Sequence, residues 1–148
     1  MAEQRPANYE DAQLILRLFE LRREEKMRKA RDWFAFKFFP RTMDDFKVIQ
    51  SPSAPENSYF RMVTSYWDMA ASFIVQGVLN PELFVESGGE MLFVWAKIEE
   101  FIPQLRQGLS PHYLANIEKA VGILPGSAER IRMIRESINR LAKANAES

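Results

Sequence analysis

Prolines and glycines cut this chain into short stretches of helical spacing, and that punctuation constrains the fold more than any other feature. Asn8 can cap a helix starting at Tyr9, with Glu10 and Asp11 favourably placed in its first turn. A stripe then runs Ala12, Leu16, Phe19, Arg23, Met27, Ala30, Phe34, Phe38, and nothing interrupts it before Pro40. The spacing predicts one long helix over 9–39, roughly 46 Å at 1.5 Å per residue. A compact chain of this size is only roughly 35–40 Å across. Such a helix must overhang, find a partner, or break in its charged middle.

Further starts follow. Thr42 can cap a short helix carrying Met43, Phe46 and Ile49, and 51–57 is the clearest loop. Ser53 to Glu56 reads as a capping box with Pro55 in the first turn, opening a helix that buries Phe60, Val63, Trp67, Ala70, Ala71 and Ile74 and ends at Gly77. Asn80-Pro81 starts a short helix, and Ser87-Gly-Gly-Glu90 starts another through Trp95 and Ile98, which Pro103 should kink or end early. Ser110-Pro111 reads as one more start. Ser127 opens a last helix with Ile131, Ile134, Ile138 and Leu141 at heptad steps. With little period-two alternation, the expectation is a single all-α domain over 1–148, an irregular helical bundle of about five to seven helices led by the long one.

Chemistry is sparse. There is no cysteine, which removes disulfides, thiolate catalysis and cysteine-based zinc sites. The one histidine, His112, has no Glu three residues before it, so the di-iron pattern of helical bundles is absent and no metal or other cofactor is expected. The serines lie in no nucleophile elbow, and no phosphate-binding glycine loop is present. No catalytic residue is identified, and the chain reads as a non-enzyme.

Lys plus Arg equals Asp plus Glu, 20 each, so no global field favours nucleic acid, which is not an expected partner. The basic run from Arg22 to Arg31 is interleaved with Glu24 and Glu25, the pattern of a solvated helix. The longest apolar-leaning run, Met69 to Leu79, is about half of what a membrane-spanning helix requires. No span is expected, and a cytoplasmic location is the default.

The densest feature is DWFAFKFFPR at 32–41, with Trp33, Phe34, Phe36, Phe38 and Phe39 in seven positions. On a continuous helix these rings turn by about 100° per residue and surround it. A helix apolar all round must be covered all round. Core plus homodimer interface is therefore expected, with Trp33, Phe36 and Phe39 as possible interface residues. The alternative is an apolar-ligand pocket between helices.

Residues 66–106, YWDMAASFIVQGVLNPELFVESGGEMLFVWAKIEEFIPQLR, combine an aromatic-acid pair, an apolar run to a glycine, a short Val-containing helix, a Trp and a closing Arg. In Asp68, Gly77, Val85, Trp95 and Arg106 the block resembles a family of uncharacterised bacterial proteins. The resemblance implies an all-helical domain of unknown function and carries over no catalytic residue. Physically, Asp68 beside Trp67 and Arg106 at the end of the Trp95 helix could form a structural ion pair if those helices pack antiparallel. A catalytic Asp68 is the sharper alternative. The expected function is a self-associating interaction or scaffolding module, possible partners being a second copy or another protein, with small apolar-ligand binding as the alternative.

Overall fold

The computed structural model describes residues 5–147, and among these there are eight α-helices, two 3-10 segments and no strand. The predicted long N-terminal helix is two: α1 (Tyr9–Arg22) and α2 (Glu25–Phe36). The break falls in the charged middle because Glu24 caps α2 with its own side chain. Its carboxylate accepts the backbone N–H groups of Lys26 at 3.0 Å and Met27 at 2.9 Å. With ψ at 141°, Glu24 has left helical geometry. Its two oxygens satisfy N–H groups that an uninterrupted helix would have paired internally.

A 3-10 helix (Met43–Ile49) leads to α3 (Pro55–Val75), the centre of the domain, against which α2, the 3-10 helix and two later helices, Glu90–Ile98 and Ala115–Ile123, pack. The predicted inner face of α3 is the observed one, with Thr64 added: Phe60, Val63, Thr64, Trp67, Ala70, Ala71 and Ile74 are all buried. The expected capping box is not formed. Ala54 is the N-cap, Pro55 leads the first turn, and Ser53 shares a hydrogen bond with Ser51. At the other end Gly77 sits at φ +76°, the left-handed conformation that lets the chain turn into the next helix.

Next come α4 (Pro81–Ser87), capped by Asn80, and α5 (Glu90–Ile98). The missing N–H of Pro103, and its clash with the carbonyl four residues back, break the helix ahead of it. The chain passes through a 3-10 turn (Glu99–Phe101) into α6 (Ile102–Gly108), with Pro103 in its first turn. Ser110-Pro111 opens only a turn; α7 (Ala115–Ile123) begins later, from Leu114 at φ 55°. The last helix, α8 (Ser127–Glu147), lies on α5 and α7; Ile131 is buried, whereas Leu141 is already exposed. No helix among the described residues is long and apolar enough to cross a membrane.

Candidate functional site

A concavity of about 860 Å³ forms a groove between the 3-10 helix, α3, α6 and the 110–114 turn. Its apolar lining comes from Met43, Phe46 and Ile49 on the 3-10 helix, Phe60 on α3, and Leu105 and Leu114 opposite. Phe46, Phe60, Leu105 and Leu114 are all buried, so the floor is continuous with the core. Arg61, Gln104, Leu109 and His112 also line it, and Leu109 is 63% exposed.

A polar seam crosses this floor. Thr64 donates its hydroxyl to the Phe60 carbonyl at 2.8 Å. Its one proton being used, the Tyr113 hydroxyl must donate to Thr64 Oγ1, at 3.3 Å. Burial pushes the Tyr113 phenol up to about 12, so it stays neutral and keeps its proton. Beside them, Asp68 Oδ1 accepts the Ile117 backbone N–H at 3.1 Å and Oδ2 accepts Asn116 Nδ2 at 3.2 Å. Each carboxylate oxygen has room for a further donor, and Asp68 lines the groove.

Those contacts correct the expected Asp68–Arg106 pair. Arg106 turns to the Tyr113 carbonyl at 3.0 Å and to Glu118 at 3.2 Å. Each residue grips the start of α7 from its own side, instead of meeting the other. Asp68 acts as an N-cap from another helix, taking the Ile117 N–H in the first turn of α7, while Ser110 Oγ accepts only the His112 N–H of the preceding turn. Together with the buried Leu114, the two grips hold the 110–114 turn in place along the groove.

The 33–39 rings mostly face inward. Phe34 and Phe38 are fully buried, and half-buried Trp33 stacks on Phe38 with ring centroids 4.8 Å apart. Phe39 is half-buried, its ring beneath the Lys97 amine at 4.1 Å. Of the three residues expected at an interface, only Phe36 projects, 59% exposed.

Sequence reasoning missed two features. Glu90 knots α1, α2, α3 and α5 together: it accepts Arg31 Nε at 2.9 Å and Nη2 at 2.8 Å and Trp67 Nε1 at 3.1 Å, with Arg22 at 4.0 Å. Lys97 is a buried amine. No local pattern marks either, since the hydrogen-bond and ion-pair partners lie 23 to 68 residues away. As for metals, no group of three or more His, Cys, Asp or Glu among the described residues could hold one.

A family model described as a domain of unknown function, DUF4760, matches residues 9–122, a longer segment than the 66–106 block. No curated protein and no solved structure matches the chain.

Proposed function

The chain belongs to the DUF4760 family of domains of unknown function, and from the groove we propose that it is a non-enzymatic binding module for a small, largely apolar molecule. The observation that carries this is the groove itself. At about 860 Å³ it is of ligand-site size, and its apolar floor carries a few converging polar groups. Elements of the matched segment, from the 3-10 helix to the turn before α7, supply every residue named on its walls. The fixed hydroxyl pair and the Asp68 carboxylate suit a ligand with an apolar body and a hydrogen-bond donor at one end. The buried part of the floor has its polar atoms partnered, so the groove needs no bound molecule to remain folded.

Native mass spectrometry of freshly purified, untagged chain tests this, alongside Ser65→Trp. Ser65 is exposed on α3 at the groove wall, so an indole there fills the groove without disturbing the core. Wild type should retain a discrete added mass, or gain thermal stability with decylamine, and the variant should do neither. A bare wild-type mass together with no response to decylamine overturns the reading.

Self-association is a second reading, favoured by Phe36 alone, an exposed ring at the end of α2. The same spectrum reports subunit number, and Phe36→Asp should convert any dimer to monomer. A cytoplasmic setting belongs with either reading and is checked by cell fractionation.

A further inference from the structure

Four polar or charged residues are buried among the described residues: Asp11, Thr64, Asn80 and Lys97. The first three have partners that account for them: Arg5 and backbone N–H groups for Asp11, Phe60 and Tyr113 for Thr64, and the start of α4 for Asn80. Lys97, 5% exposed, is different, because no carboxylate among the described residues pairs with it. Its Nζ donates to the Phe34 carbonyl at 2.6 Å and the Ala35 carbonyl at 3.4 Å, near the end of α2. Around it are the rings of Phe39 at 4.1 Å, Phe93 at 4.8 Å and Phe34 at 5.2 Å.

A neutral amine offers its two N–H bonds to the two carbonyls and keeps a lone pair; an ammonium has a third N–H, which the Phe39 ring face can take. Desolvation favours the neutral form, pushing the amine down to about 7. The side chain also forms part of the wall of a second cleft, about 680 Å³, between α5 and α8 and closed by Phe39, Pro40 and Arg41. Arg41, Arg135 and Asn139 share that cleft with one acid, Glu100; Arg135 also pairs with Glu99 at 3.2 Å. The lining thus has an excess of cation and donor groups.

The geometry points to Lys97 as a nucleophilic amine that captures a small carboxylate-bearing aldehyde or ketone in the α5–α8 cleft as a reversible imine. The Nζ lone pair attacks the carbonyl carbon; a C–N bond forms as the C=O π pair moves to oxygen, which takes up a proton. Nitrogen loses one proton, the oxygen gains another, and the remaining C–O bond breaks to release water. The product is a protonated imine whose one remaining N–H can stay on the Phe34 carbonyl. Addition of water reverses the sequence, and no oxidant or reductant is needed. Arg41 and Arg135 would hold the carboxylate, and water or Glu100 would carry the proton.

The test uses the wild-type chain with 4-carboxybenzaldehyde and sodium cyanoborohydride at pH 7.4, followed by peptide mapping of the secondary amine that the hydride fixes. Lys97 should be labelled at least about tenfold faster than any other lysine, because an ordinary lysine at that pH is almost wholly ammonium. Its rate should level off above neutrality while the others keep rising towards pH 10. Uncharged benzaldehyde should label it several-fold more slowly, and Arg135→Ala should remove that preference. Lys97 labelled no faster than Lys119 overturns the proposal, leaving the amine as a cap on α2 only. Equal rates with the two aldehydes overturn the carboxylate assignment.

Discussion

Asp11→Asn should destabilise the domain by about 3 kcal/mol at neutral pH, although the exchange barely alters shape. The Asp11 carboxylate is 1% exposed and accepts four hydrogen bonds. Oδ1 takes Arg5 Nη2 at 2.8 Å and the Asn80 N–H at 2.9 Å; Oδ2 takes Arg5 Nη1 at 2.6 Å and the Asn8 N–H at 2.8 Å. An amide has only one acceptor oxygen, so either flip sets an NH2 against two donors. The cheaper flip keeps the buried Asn80 N–H satisfied and gives up Asn8 and one arm of Arg5, both of which can recover water. Loss of a capping interaction is worth about 1 kcal/mol. Loss of a charge-assisted bond to a buried carboxylate is worth about 1.5–3 kcal/mol, taken near its lower half because Arg5 faces solvent. The sum corresponds to a fall of roughly 6–12 °C in Tm.

The pH dependence sharpens the test. The Arg5 guanidinium holds the Asp11 carboxyl well below the usual carboxylate range, helped by the N–H groups of Asn8 and Asn80 and opposed by burial. On acidification the unfolded chain therefore binds this proton first. The contribution is complete above the ordinary value near pH 4 and is lost as pH falls towards the folded value. The gap between wild type and Asp11→Asn should narrow by about 1 kcal/mol between pH 6 and pH 3. Urea denaturation followed by circular dichroism at both pH values measures it. A gap below about 1 kcal/mol at pH 6, or one that widens on acidification, would refute the reasoning.

Three further outcomes are expected. Because burial holds the Lys97 amine at about 7 against an ordinary 10.4, the unfolded chain binds more protons between those values. Wild-type stability should therefore rise from pH 7 to pH 9, by up to about 1 kcal/mol per unit, and Lys97→Met should flatten that slope in urea titrations. Gly77→Ala should cost about 1 kcal/mol by the same assay, since an added Cβ meets nothing within 4 Å and only the positive φ penalises it. Trp33→Asp should cost at least about 2 kcal/mol by breaking the stack on Phe38, whereas exposed Phe36→Asp should stay within about 0.5 kcal/mol, as thermal melts of the pair will show.

How much was legible follows from the range of each signal. The apolar residues of the inner face of α3 could be read because period, N-terminal Pro55 and closing Gly77 act within one helix, whereas buried Thr64, a polar residue, escaped the pattern. The Pro103 break was legible for the same reason. The break at Glu24 was open to a local reading that the stripe obscured: a capping glutamate needs only Lys26 and Met27, yet an apolar period running past it spoke for continuity. The start of α7 was beyond any local reading. Its cap is Asp68, 49 residues earlier, and without that carboxylate Ser110-Pro111 is the better start. The groove is lost in the sequence likewise, because its polar seam joins Thr64 to Tyr113 across 49 residues.

The aromatic run shows how the position of one helix boundary decides which way several rings face. A helix continued to residue 39 would spread the five rings around its circumference and require an outside cover for some of them. In the fold α2 ends at Phe36, and both Lys37 and Phe38 direct their N–H groups to the Trp33 carbonyl. Past that closure the 100° spacing no longer applies. Phe38 turns into the core against Phe46 and Phe60, and Phe39 swings the other way to lie under Lys97. The end of the helix thus turns Phe38 and much of Trp33 and Phe39 inward and leaves Phe36 exposed. It also leaves the Phe34 and Ala35 carbonyls without helical donors, and these are the groups the buried amine serves. The same short chain reversal buries Phe38 and creates the polar demand that Lys97 answers.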